Sequence, residues 1–83
     1  MDVNYKAQKL LRLKFELDYN IINDIKICGD FFIHPEEKIV LIEEALIGIK
    51  INEVKKIVDD IILRENIQII GFTSNDLQNA LQQ

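Results

Sequence analysis

The sequence has little of what most catalytic centres and binding motifs require. Its 83 residues include one cysteine, one histidine, one proline and three widely separated glycines. Isolated glycines cannot form a phosphate-binding loop, and one cysteine with one histidine cannot complete a structural zinc site without other chains. A serine–histidine–aspartate nucleophile elbow is also absent. An independent enzyme of this size would have to place its chemistry in one small part of the chain.

Positive charge is also scarce. Ten Lys and Arg residues stand against fourteen Asp and Glu residues, which gives a net charge of −4. This balance argues against a nucleic-acid-binding role and against docking on an anionic membrane. No apolar run approaches the length of a membrane span, and the N-terminus lacks the apolar region of a signal peptide. The single cysteine suits a reducing compartment, so the predicted location is the cytoplasm.

Alternating apolar and charged residues predict an N-terminal β-hairpin. The alternation runs over residues 11–19 and again over residues 21–28, which gives each strand one buried face. Asp18-Tyr19-Asn20 favours a turn between the strands, because Asn tolerates a positive φ. The buried face of the second strand is predicted to carry Ile21, Ile25 and Ile27, with Asp24 and Lys26 on the other face.

Three helices are predicted to follow the hairpin. The first is expected to begin at Pro35 and to end at Gly48. Asn52 is the predicted cap of the second helix. Thr73 is the predicted cap of the third, with Asp76 completing a capping box.

The order of these elements predicts the fold class. Strands come first and helices follow, which indicates an α+β fold in a single domain, 1–83. We expect a small antiparallel sheet of two to three strands with about three helices packed on one face. Residues 67–70 are apolar and predict either an edge strand or an extended link.

A corner between the hairpin and the first helix collects the least common residues, in the run Gly29-Asp30-Phe31-Phe32-Ile33-His34-Pro35-Glu36. Glycine there indicates a bulge or a close backbone approach. Phe31 and Phe32 should point to opposite faces, so that one fills the core and the other covers a second layer or belongs to a partner interface. His34 is expected near the helix N-cap, bonded to a backbone amide, while Asp30 either bonds His34 or fixes the bend.

Two chemical interpretations of the corner are weaker than structural ones. Cys28 and His34 could form a thiol nucleophile with its base, but a free cysteine at the end of an apolar strand more often packs as a small core residue. Asp30, His34 and Glu36 could ligate a metal, but three ligands on one tight corner rarely converge.

The corner resembles the signature of the C-terminal accessory domain of lipoate–protein ligases, where a Ser-Gly-Asp-Phe-Phe-x-His-Pro-Glu-like run lies between a sheet and a helix. The resemblance extends from Lys6 to Leu81, with less specific matches at residues 42–48 and 71–77. A Lys-Gly-Gly-Lys-like turn of the family reads Lys6-Ala7-Gln8-Lys9 here. Both lysines are kept, and both glycines are replaced.

The resemblance implies an accessory role in protein lipoylation. In such ligases a larger catalytic domain binds lipoate, ATP and Mg, forms lipoyl-adenylate in an AMP-forming reaction, and passes the lipoyl group to a lysine of a carrier domain. The accessory domain packs against the catalytic domain and is needed for adenylation. This chain begins at a methionine and holds only the accessory unit, which favours a separate small subunit, although an excised domain would look the same.

The resemblance also implies the site and the partners. The chain is expected to bind no cofactor or metal alone, to have no catalytic residue, to form a heterodimer with a catalytic subunit and to meet the lipoyl carrier domain indirectly. The two lysines are expected to lie toward the catalytic subunit and near phosphate. Residues assigned to the partner interface and to the support of adenylation are Lys6, Lys9, Gly29, Asp30, Phe31, Phe32, His34, Pro35 and Glu36.

Three rival functions remain open at this point. The first is an interaction or dimerisation module unrelated to lipoate, which the apolar surplus of so small a domain would suit. The second is a small enzyme built on Cys28, Asp30 and His34. The third is a nucleic-acid binder of KH-like layout, which the acidic charge and the missing Gly-x-x-Gly loop disfavour.

Overall fold

The computed structural model describes residues 1–83 and contains five β-strands. These are β1 (Asp2–Lys6), β2 (Leu10–Asp18), β3 (Ile21–Gly29), β4 (Phe32–His34) and β5 (Gln68–Ile70). The first three form an antiparallel sheet in the order β1-β2-β3, and the last two form a separate antiparallel pair.

Three α-helices follow the three-stranded sheet. They are α1 (Lys38–Leu46), α2 (Val54–Arg64) and α3 (Ser74–Leu81), and a 3₁₀ turn, Ile51–Glu53, leads into α2. The predicted α+β class is therefore confirmed, and the predicted strand at residues 67–70 is present as β5. The sequence pattern does not predict β1, because only Val3 and Tyr5 face inward from this strand and both are half-buried.

The turn between β2 and β3 confirms the predicted hairpin. Tyr19 and Asn20 have φ values of 50° and 69°, and two consecutive positive values are typical of the type I′ turn that matches the twist of a hairpin. Tyr19 is 94% exposed, so it belongs to the turn and not to the buried face of β2, on which the alternation had placed it.

A β-bulge corrects the predicted buried face of β3. Glu16 pairs with Asp24 while Leu17 pairs with Ile22, so one residue of β3 has no partner on β2. An extra residue reverses the alternation on one side of a bulge. Ile22 is consequently buried at 0% exposure in place of Ile21, which is only half-buried.

Cys28 is exposed, which contradicts its prediction as a core residue. Beyond the bulge, Ile25 and Ile27 face the core. Since side chains alternate along a strand, Cys28 points to the outer face together with Lys26.

The first two helices begin differently from the predictions. Pro35 does not begin α1, because the carbonyls of Pro35, Glu36 and Glu37 accept hydrogen bonds from residues three positions later and form a tight turn before Lys38. Asn52 does not cap α2, since it lies inside the 3₁₀ turn and makes no capping bond.

The ends of α1 and α3 confirm two other predictions. Gly48 follows the C-cap of α1 with a φ of 84°, a left-handed conformation that favours glycine at this position. The Thr73 side chain accepts a hydrogen bond from the Asp76 amide, and the Asp76 side chain accepts from the Thr73 amide, which completes the predicted capping box.

The core is one cluster of seventeen buried apolar residues drawn from both sheets and all three helices. The inner face of the three-stranded sheet contributes residues such as Leu11 and Leu13, and the helices contribute Ile42, Val58 and Leu77, all at 0–1% exposure. Burial on this scale is the main stabilising contribution in a domain without disulfides. None of the helices has the length and apolar character that crossing a membrane requires.

Candidate functional site

Gly29 fixes the corner to β2. Its φ is +144°, and a Cβ at this position would overlap the carbonyl oxygen of Leu10. The next residue, Asp30, donates its backbone N–H to the same oxygen at 2.9 Å. The chain can therefore turn away from β3 only with glycine here, which confirms the predicted close backbone approach.

The β1–β2 turn reaches the same corner through Lys9. Its backbone N–H donates to the carbonyl oxygen of Gly71 at 2.8 Å. Gly71 in turn lies against Phe31, since a Cβ on Gly71 would be 2.8 Å from the Cβ of Phe31. Three distant parts of the chain thus meet here. Gly71 is not among the predicted site residues, although it lies in the third stretch that resembles the ligase family.

The two phenylalanines of the corner differ in burial, although both line the groove described below. Phe31 is half-buried and packs edge to face on Phe72, with ring centroids 4.7 Å apart and planes at 81°. Edge-to-face contact is a favoured geometry of aromatic pairs. Phe32 is 70% exposed and pairs across the strands with Ile70, which is 51% exposed. The two exposed apolar side chains form a patch beside the corner.

A groove of about 860 Å³ runs along the corner. Its apolar wall includes Phe31, Ile33 and Ile39, while exposed His34 and Glu36 belong to its polar part. Pockets that bind ligands or partners are usually apolar with few polar groups of this kind. The full lining is Ile27, Phe31, Phe32, Ile33, His34, Pro35, Glu36, Glu37 and Ile39.

The predicted hydrogen bonds of His34 and Asp30 are not formed. His34 lies on β4, four residues before α1 begins, and its exposed ring is too early in the chain to cap that helix. The bend at Asp30 is fixed by its backbone N–H and not by its side chain.

The lysines of the predicted site differ in their surroundings. Lys6 is exposed at the end of β1, opposite Leu10 on β2, and it does not line the groove. Lys9 lies at the corner through its backbone hydrogen bond to Gly71, and it does not line the groove either. The ion pairs of the chain join other groups, so the ammonium groups of both lysines are free.

An ion pair secures the helix behind the corner. Lys38, the first residue of α1, donates from Nζ to Glu65 Oε1 at 3.1 Å, just beyond the end of α2. This hydrogen bond is the main reason that the pKa of the Glu65 carboxyl lies below its ordinary 4.5, and a second hydrogen bond from Arg64 lowers it further. The contact joins the start of α1, which directly follows the turn Pro35–Glu37, to the end of α2.

Exposed apolar and charged side chains lie together at the corner. Nowhere do three His, Cys, Asp or Glu side chains come close enough to hold a metal ion. Cys28 points to the outer face of the three-stranded sheet, while His34 lies on β4 of the second sheet. What the corner offers is an apolar patch, a groove with charged residues and a free lysine.

Comparisons with known proteins identify the family. The family described as bacterial lipoate protein ligase C-terminus matches residues 10–81. The chain therefore belongs to this family of lipoate–protein ligase C-terminal domains, and the resemblance found in the sequence is confirmed.

Two relatives make the comparison more specific. Lipoate-protein ligase A subunit 2 of Thermoplasma acidophilum is 45% identical over 80 residues, which cover 95% of this chain and 84% of the relative. A solved structure from the archaeal lipoylation system of the same organism, a bi-partite lipoate protein ligase and its E2 lipoyl domain, is similar with a TM-score of 0.84 and 35% identity. The similarity covers 98% of this chain and 92% of that one. In fold and extent, this chain corresponds to the second subunit of a bipartite ligase.

Proposed function

We propose that this chain, acting as one domain over residues 1–83, is the accessory subunit that a separate catalytic subunit needs to convert lipoate and ATP into lipoyl-adenylate. The observation that carries the proposal is the near full-length similarity to the second subunit of a bipartite ligase. In this proposal ATP, Mg and lipoate bind to the catalytic subunit. The accessory chain supplies surface and contains no active site of its own. It would work in the cytoplasm.

The corner is the proposed docking surface. Exposed apolar side chains in a cluster mark interaction sites on small proteins, and aromatic residues are enriched in interfaces. Phe32 and Ile70 provide such a cluster, and the adjoining groove provides a concave surface into which a partner side chain can fit. Because Gly29 and Gly71 fix the corner to the rest of the fold, the partner would meet a rigid surface.

The physical role of such a subunit is to close the active site of its neighbour. An acyl-adenylate reacts readily with water, and it forms from two anionic reactants. A second domain that covers the site excludes water and holds the mobile loops of the catalytic subunit in a productive arrangement. It must then move aside to admit the lipoyl carrier domain, which would touch this chain only indirectly.

Reconstitution tests the proposal directly. A candidate catalytic subunit is mixed with lipoate, ATP and Mg, and pyrophosphate release is measured with and without this chain. We expect release to depend on the chain, and the chain alone to release none. Equal rates in its presence and absence would disprove the accessory role, and turnover by the isolated chain would disprove the absence of an active site.

The two free lysines are proposed to support adenylation from the accessory side. Replacing both, as Lys6→Glu and Lys9→Glu, should lower pyrophosphate release by the complex by more than about tenfold, because a single hydrogen bond to a charged group contributes about 1.5–3 kcal/mol. The matched control is Lys50→Glu with Lys56→Glu, a double reversal at two exposed lysines that join no ion pair. A loss of the same size in both double variants would show that only net charge matters.

A further inference from the structure

Gly71 and Lys9 make a contact that extends beyond the backbone hydrogen bond. A Cβ on Gly71 would be 3.0 Å from both Cβ and Cγ of Lys9. The first two carbons of the lysine side chain therefore rest on the bare Cα of Gly71. The glycine is buried and has a φ of +120°, so both the space and the conformation require glycine.

The contact holds the first side-chain carbons of Lys9 in place and leaves its ammonium group free. Its backbone is bound to Gly71 O, its first side-chain carbons are packed, and its ammonium joins none of the ion pairs of the chain. The acidic residues nearest to the corner in sequence, Asp30, Glu36 and Glu37, are not among its partners. Because these carbons are already packed, the lysine side chain loses less conformational entropy when its ammonium binds an anion. Lys9 is thus prepared for an anion that comes from outside the chain.

We propose that Gly71 is a positioning residue that acts through Lys9, directing the ammonium toward an oxyanion in the assembled ligase. This inference rests on the proposed function. The oxyanion comes either from the nucleotide phosphates or from a carboxylate of the catalytic subunit, and both present the same chemistry to an ammonium. Replacing Gly71 with alanine would force Phe31 and Lys9 apart and turn the ammonium away.

A double-mutant cycle tests this proposal in the reconstituted complex. Gly71→Ala, Lys9→Met and the double variant are compared by kcat/KM for pyrophosphate release. We expect each single change to reduce kcat/KM by about tenfold, and the double variant to be no worse than Lys9→Met alone, since interacting residues are not additive. Lys9→Arg should restore part of the loss. If the two effects multiply, Gly71 merely supports the fold and the proposal is wrong.

Gly48→Ala is the matched control for backbone strain. Gly48 also has a positive φ, +84°, but a Cβ there would meet nothing within 4 Å. The control should therefore share the conformational cost of Gly71→Ala without moving another side chain, and its kcat/KM should stay unchanged. The thermal midpoint of every variant is measured, and assays are run below the lowest midpoint. A loss of kcat/KM in Gly48→Ala equal to that in Gly71→Ala would overturn the proposal.

Two further measurements identify the source of the oxyanion. A rise in KM for ATP with unchanged affinity between the subunits indicates phosphate, whereas a weaker Kd between the subunits with unchanged KM indicates a carboxylate of the catalytic subunit. If the chain does not stimulate pyrophosphate release at all, the proposed function and this inference fail together. If it does stimulate release and the cycle is additive, only this inference fails.

Discussion

At the scale of single residues, glycines at two positions determine how closely the chain segments of the corner approach one another. Gly29 presses on the carbonyl oxygen of Leu10, and Gly71 presses on Phe31 and Lys9. In both cases a methyl group would meet an atom that is itself part of a strand or of a packed side chain. The conformation of the corner therefore depends on the missing side chains of Gly29 and Gly71 as well as on the side chains that pack there.

Gly29→Ala should destabilise the isolated chain. The substitution adds a Cβ against Leu10 O and keeps a φ of +144°, and unfavourable backbone conformations cost on the order of 1–3 kcal/mol. Urea unfolding followed by circular dichroism measures the loss. Gly48→Ala, which has open space around its Cβ, should lose less. Equal losses would mean that the contact with Leu10 contributes nothing.

Asp59 gives the chain a defined response to acid. Its pKa is lowered from the ordinary 3.8, first by the hydrogen bond from Ser74 Oγ and then by that from Lys55. A carboxyl whose pKa is lower in the folded state stabilises the fold fully above its unfolded pKa, and this contribution is lost as the pH falls through the folded value.

Ser74→Ala should raise the pKa of Asp59 toward 3.8, because the Ser74 hydroxyl, which lowers this pKa more than Lys55 does, is removed. The loss of stability on acidification below that pH should then be smaller than in the unaltered chain. Carboxyl titration by NMR gives the pKa, and urea unfolding on either side of it gives the stability. An unchanged pKa of Asp59 would contradict the role assigned to the Ser74 hydroxyl.

At the scale of elements, the start of α2 is stabilised by α3. Gln78 on α3 accepts a hydrogen bond through Oε1 from the Lys55 N–H in the first turn of α2, at 2.9 Å. It satisfies one of the backbone donors that a helix N-terminus leaves free. Ser74 and Asp59 join the same two helices one turn further along. The capping side chain comes from a residue 23 positions away, which local sequence patterns do not reveal.

Gln78→Ala should therefore destabilise the chain by about 1 kcal/mol, the usual effect of removing a helix N-cap. Asn52→Ala is the matched control, since Asn52 is an exposed polar residue near the same helix end that makes no capping bond. Its midpoint in urea should hardly change. A larger loss for Asn52→Ala than for Gln78→Ala would restore the capping role that the sequence suggested for Asn52.

At the scale of the whole molecule, the residues of the core are separate from the exposed apolar residues of the proposed docking surface. Seventeen apolar residues form the core, while Phe32 and Ile70 remain outside it on the small second sheet. The three-stranded sheet and the helices support this second sheet without covering its outer face. We therefore expect docking and stability to respond to different substitutions.

Phe32→Ala should weaken the affinity for the catalytic subunit by about tenfold or more, because buried aromatic anchors often contribute 2 kcal/mol or more to an interface. The stability of the isolated chain should be nearly unchanged, since the ring is 70% exposed. Leu63→Ala, at a residue that is 85% exposed on α2, is the control and should leave both quantities unaltered. Calorimetric titration measures the affinity. Unchanged binding by Phe32→Ala would remove this patch from the interface.

The sequence by itself determined the elements whose signals are local. The alternation of β2, the turn at Tyr19 and Asn20, the Thr73–Asp76 capping box and the glycine end of α1 all depend on residues a few positions apart. The family was also recognisable from one continuous run at the corner, because the residues of that run are adjacent in the chain.

Only the tertiary structure decided the features that depend on distant contacts. A single extra residue in β3 exchanged Ile21 for Ile22 in the core, and the same strand placed Cys28 outside. The cap of α2 came from α3, and Lys9, Phe31 and Gly71 met at a corner that no local pattern describes. The physical reason is that close packing and hydrogen bonding act between atoms that are near in space, whereas sequence patterns report only on residues that are near along the chain.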